Sequence, residues 1–115
     1  MYHDIIQSVM DAVDACRALQ EFTTGQTLES YRADRLRRLA VERLFEILGE
    51  AMNRVDEADP LFREYLPEMG KIIGTRNRIA HGYDRVEDMV IWDAVVTNIP
   101  DLMDKLTAWL HTKGF

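Results

Sequence analysis

The sequence predicts an all-α fold, a compact up-and-down helical bundle, from three observations. Apolar residues recur at three- and four-residue steps over long segments, the period of a helix with one buried face. No run alternates apolar and polar residues between turn signals, so strand patterns are missing. Glycine, proline and threonine break those segments at intervals that suit short connections rather than linkers. At 115 residues, 47% hydrophobic and 30% charged, the chain suits a single folded domain spanning 1–115.

The elements follow in order. Ile5, Ile6, Val9, Val13, Cys16, Leu19 and Phe22 form the apolar face of a first helix, which Thr23-Thr24-Gly25 stops. A short helical turn follows over 27–31, with Thr27 placed as its cap. The second long helix runs from Ala33 to Val55 on a stripe of Leu36, Leu39, Ala40, Leu44, Ile47, Leu48, Ala51 and Val55. Gly49 inside it costs about 1 kcal/mol relative to alanine, and a small residue there marks the close approach of another helix. Asp56 to Pro60 reads as a loop. A third long helix covers 68–80, with Met69, Ile72, Ile73 and Ile79 inward and Gly82 as its stop. Gly70 and Gly74 read as a small-residue face for helix packing. Asp88 is placed to cap the last helix, which carries Ile91, Val95, Ile99, Leu102, Leu106, Trp109 and Leu110 on one side. Pro100 lies inside that pattern and is expected to kink or split it.

Composition narrows the function. No apolar run approaches the roughly 18 residues of a membrane span, and Met-Tyr-His-Asp does not read as a signal peptide. One cysteine, Cys16, allows no internal disulfide, which fits a cytoplasmic protein. With Ala12, Val13 and Leu19 around it, Cys16 reads as a core residue. The net charge of −6 opposes broad attraction to nucleic acid, yet the charge is uneven. Between 32 and 43, five arginines stand against Asp34 and Glu42, a local charge of +3. Between 71 and 86, Lys71, Arg76, Arg78 and Arg85 stand against Asp84, again +3. Such islands read either as solvated, salt-bridged helix faces or as sites for a local anion. Eleven of the 14 basic residues are arginine, the side chain that grips phosphate or carboxylate with two donors at once.

Two apparent motifs fail. GKIIGT (70–75) echoes a phosphate loop, but its lysine is misplaced and the segment reads as helix. His3, His81 and His111 are scattered without carboxylate or cysteine at ligand spacing, which makes no metal site. The stretch RNRIAHGYDRV (76–86) remains. Asn77 and His81 share a helix face and Arg78 nearly joins them, while Arg76 and His81 point about 140° apart. Arg76 therefore meets His81 only if the helix relaxes at Gly82 or if a second copy supplies the missing half. Histidine exchanges protons near neutrality, and arginine supplies fixed charge to a phosphoryl group. That pair suits RNA cleavage, with Tyr83 placed to stack on a base or touch phosphate. The structural alternative is a capped polar helix end, with Arg76 and Arg78 paired to Glu68, Glu87 or Asp88.

RNRIAHGY, from Arg76 to Tyr83, resembles the RxxxxHxY signature of the HepT-like branch of the HEPN domains. LAVERLFEILGEAMNRV (39–55) resembles that family's second-helix pattern around Gly-Glu-Ala, and LPEMGKIIGTRN and VEDMVIWDAVVTNIPDL follow in the expected order. The likeness covers nearly the whole chain. It implies a four- or five-helix bundle that forms a homodimer with the motifs of both copies in one cleft. It implies a metal-independent ribonuclease that needs no cofactor, the toxin of a type VII toxin–antitoxin pair acting on RNA. The partner so implied is an MntA-like nucleotidyltransferase antitoxin that adds AMP to the motif tyrosine. Arg76 and His81 become the catalytic pair and Tyr83 the modified residue. Asn77 orients His81 or binds phosphate, Arg78 adds a second basic group, and Glu50 of the Gly-Glu-Ala element contacts the site. Which arginine meets phosphate stays open. An alternative role is a non-catalytic nucleotide-binding or interaction subunit that docks onto a nucleotidyltransferase.

Overall fold

The structure, a computed structural model, describes residues 2–81 and 88–115, with side chains for all of these except Tyr2, His3, Ala80 and His81. Every regular element among them is helical. Helix α1 (Tyr2–Thr23) buries Val9, Ala12, Val13, Cys16 and Leu19 against α3 and α7. Thr23 closes it by donating its hydroxyl to the Leu19 carbonyl at 2.9 Å, and Gly25 turns the chain with a φ of 77°. Phe22 departs from the expected stripe: it is 38% exposed and lies under the Arg37 guanidinium. Cys16 is wholly buried, and burial pushes its thiol up to about 12, so it stays protonated and inert.

Thr27 caps α2 (Leu28–Ala33) reciprocally. The Ser30 amide donates to the Thr27 hydroxyl at 3.1 Å, and the Thr27 amide donates to the Ser30 hydroxyl at 2.9 Å. Thr27→Ala is expected to cost about 1 kcal/mol, read as a fall of roughly 5 °C in a thermal melt.

Helix α3 (Arg35–Ala58) starts at Asp34, whose carboxylate accepts from the Arg37 amide at 3.1 Å. It runs three residues past the expected end, so 56–58 are helix and not loop. Its core residues are Val41, Phe45, Leu48, Gly49, Ala51, Met52 and Val55. Leu36 and Leu39 are exposed, so the predicted single stripe is really two lines. Leu36, Ala40 and Ile47 lie roughly 130° around the helix from the line of Val41, Phe45, Leu48 and Met52.

An unpredicted turn, α4 (Phe62–Tyr65), bridges α3 to the end of the bundle. Arg63 forks onto both Asp56 oxygens at 2.6 and 3.1 Å. The Phe62 ring packs on Trp109 at 5.3 Å, and the Tyr65 hydroxyl donates to the Lys105 carbonyl at 2.9 Å. Helix α5 (Met69–His81) then returns along α3 with Met69, Ile72, Ile73 and Thr75 buried. Gly70 and Gly74 are not the packing face expected of them. A Cβ at Gly70 would meet only the tip of Arg63, and one at Gly74 would meet nothing within 4 Å.

The last helix is continuous in spite of Pro100. Helix α6 (Asp88–Asp93) passes through a π-helical turn (Ala94–Asn98) into α7 (Ile99–Thr112). The Ile99 amide reaches back five residues to the Ala94 carbonyl, and Pro100 falls in the first turn of α7, where its missing N–H is not needed. Ile91, Val95, Ile99, Leu102, Leu106 and Leu110 all face the core as predicted. Asp88 is the first described residue of α6, and Gly82 lies outside the described residues. No helix among the described residues is long and apolar enough to cross a membrane.

Candidate active site

Gly49 decides where α5 sits. It is buried on α3, and a Cβ built on it would overlap the Cβ and Cγ of Arg76 and lie 3.2 Å from its Cδ. A side chain at 49 would therefore hold the two helices apart. The sequence flagged Gly49 as a point of close approach, and the helix that approaches is the one carrying the motif.

Arg76 enters this contact with its stem against α3 and 22% of its side chain exposed. One terminal nitrogen pairs with Glu50 at 3.5 Å, and the other donates to the Asn77 side-chain oxygen at 3.0 Å. Its Nε is buried with no hydrogen-bond partner among the described residues. An arginine carries five donors in a fixed fork, so this one is oriented yet far from saturated. Glu50 and Asn77 converge on it from different helices. The expected Glu68 partner is engaged elsewhere, taking Lys105 at 3.4 Å.

Arg78 is exposed one turn beyond Lys71 and Gly74 on the solvent side of α5, with no carboxylate partner among the described residues. Lys71 itself donates to Asn98 at 2.9 Å, tying α5 to the π-turn. Of the two motif arginines, Arg76 is the one built into the packing. The backbone of α5 stays helical through His81. The His81 side chain, Tyr83, Arg85 and Glu87 lie outside the described residues.

Two neighbourhoods flank the site. Glu50 also lines an open groove of about 310 Å³ between α1 and α3, together with Asp11, Asp14, Ala15, Leu44, Ile47 and Arg54. Tyr31, which the sequence placed only at the end of a short turn, is wholly buried against Trp92 at a ring distance of 5.3 Å. Its hydroxyl has no partner among the described residues. Burial raises its ionisation above the ordinary tyrosine range, and Glu42 and Asp88 raise it further. Burial and the Asp88 charge likewise hold the Glu42 carboxyl above its usual range. A raised folded-state value means that Glu42 favours folding when protonated and loses that contribution as pH rises through the carboxylate range. Glu42→Gln is accordingly expected to raise the melting temperature at pH 7 and leave it unchanged at pH 3.

Three comparisons bear on this geometry. The family model described as "Ribonuclease HepT-like" matches residues 12–108, a span that holds Gly49, Glu50 and the whole motif. A protein of Thermococcus cleftensis named "Probable ribonuclease HepT" is 30% identical over 97 residues, 83% of this chain and 86% of the relative. Relatives that carry RNase in their names occur in Methanocaldococcus jannaschii, 26% identical over 86% of this chain and 75% of the relative, and in Caldanaerobacter subterraneus, 30% identical over 76% and 77%. No solved structure matches the chain.

Proposed function

This chain belongs to the HepT-like ribonuclease family, and we propose on that basis that it is an endoribonuclease whose cleaving residues are Arg76 and His81. The observation that carries the proposal is the fixed guanidinium of Arg76, held by Glu50 and Asn77 inside the motif segment. His81 moves the proton, as base for a 2′-hydroxyl attacking the adjacent phosphodiester or as acid for the departing 5′-oxygen. The P–O bond to the 2′-oxygen forms as the bond to the 5′-oxygen breaks, and the proton removed from one is returned at the other. Arg76 stabilises the charge that grows on phosphorus's oxygens. No metal or cofactor takes a step in this scheme. Asn77 and Glu50 act as positioning residues, and Arg78 offers a second, solvent-side contact to phosphate.

The reading extends to control. The protein acts in the cytoplasm as a homodimer and as the toxin of a type VII pair, silenced by an MntA-like nucleotidyltransferase that transfers AMP to Tyr83. A bulky anion two residues from His81 would occupy the arginines and repel an RNA phosphate. Intact-mass analysis after co-expression with the adjacent nucleotidyltransferase tests this: a gain of AMP at Tyr83 is expected, and AMP mapped elsewhere or absent sinks it.

A second reading is a non-catalytic nucleotide-binding subunit. The net charge of −6 and the pairing of Arg76 with Glu50 favour it, because both oppose an approaching polyanion. Incubating purified, unmodified protein with single-stranded RNA separates the two. Cleavage supports the enzyme, and binding of nucleotide without cleavage supports the subunit.

A further inference from the structure

The outer side of α3 carries an apolar stripe that nothing among the described residues covers. Leu36 is 81% exposed and Leu39 51%. Ala40, Leu44 and Ile47 continue the stripe, half-buried, into the groove that ends at Glu50 and Arg54. Leu36, Ala40, Arg43, Ile47, Glu50 and Arg54 recur at steps of three and four, so the stripe follows one side of the helix for about five turns. An apolar line of this length on a small domain marks a contact surface.

Charge identifies what it contacts. Arg32, Arg35 and Arg43 lie at the N-terminal end, and neither Arg32 nor Arg35 has a carboxylate partner among the described residues. The groove at the other end holds Asp11, Asp14 and Glu50 against the single Arg54. A surface positive at one end and negative at the other complements itself when a copy is turned about a two-fold axis.

We propose that this face is closed by a second copy of the chain, with α3 packed antiparallel on α3 about an axis at the Arg43–Leu44 turn. In that register Ala40 meets the partner's Ile47, Leu36 enters the partner's groove, and Arg35 comes over the partner's Asp14. Glu50 lines the groove and also holds Arg76. The seated copy therefore brings a second guanidinium to the rim of the candidate active site, where it competes for the carboxylate that occupies Arg76. The proposal rests on the preceding reading only in that two copies meet, and it is tested without RNA.

Light scattering of the purified chain at micromolar concentration is expected to give a dimer. Leu36→Asp should raise the dissociation constant about 100-fold, because the two-fold axis removes each contact twice, while circular dichroism stays that of the folded parent. Arg35→Glu and Asp14→Arg should each weaken the dimer, and the variant carrying both should restore it. A monomeric parent, a Leu36→Asp protein that still dimerises, or a double variant as weak as the single ones overturns the proposal. A dimer with these responses that leaves RNA intact supports the interface and sinks only the ribonuclease reading.

Discussion

Replacing His81 with alanine is expected to lower RNA cleavage by unmodified protein about 10²- to 10⁴-fold, the usual loss when a positioned proton-transfer group is removed. Arg76→Ala should cost about 10²- to 10³-fold, the loss typical of a donor aimed at developing charge. Arg76→Lys should rescue little, since an ammonium cannot hold Glu50, Asn77 and a phosphate in one plane. Arg78→Ala should cost less than about tenfold, as an exposed phosphate contact is worth little more than that. The double variant of Arg76 and His81 should be scarcely worse than either alone, because the two act as a unit. Initial-rate measurements on a defined single-stranded RNA read all of these. In cells the same two variants should relieve the growth arrest that the parent imposes. If both cut RNA as fast as the parent, the assignment of the cleaving pair is wrong.

Gly49→Ala carries the largest expected effect on stability, and its sign is set by a contest. Helix propensity favours alanine by about 1 kcal/mol. Against this, the added methyl would overlap Arg76 Cβ and Cγ, atoms too close to the backbone to swing aside. Overpacking of this kind costs typically about 1–3 kcal/mol beyond what propensity returns. The net expectation is a melting temperature lower by roughly 5–15 °C, with cleavage reduced as well because α5 moves and takes Arg76 with it. Gly74→Ala is the control. It sits on an α5 face with nothing within 4 Å, so only propensity acts and the melt should rise by a few degrees. A Gly49→Ala protein as stable as the parent would mean that the contact is looser than described.

Those two glycines also show what sequence can and cannot supply. Both lie in helices and both read as packing positions, but a glycine's meaning depends on what stands opposite, and that is a tertiary fact. Helices α1, α5 and α7 were legible because each has a single apolar line, so the period alone names the buried face. Helix α3 was misread because it carries two lines at compatible spacing. Nothing in the period says that Phe45 and Met52 go inside while Leu36 stays out. The one-turn α4 is too short for periodicity to register. The contact between Arg76 and Glu50 spans 26 residues and has no local signature. It became an expectation only through the likeness of 39–55 and 76–83 to one family, whose order already tied the Gly-Glu-Ala element to the motif.

The single thiol has a use that follows from its position. Cys16 is sealed in the interior and protonated, so a labelling reagent can reach it only when α1 separates from α3 and α7. The rate of its modification is therefore a clock for opening of the whole interior, supplied by the natural chain without any introduced probe. A variant that loses cleavage while that clock runs at the parent's rate has lost chemistry. One whose clock runs fast has lost its architecture first.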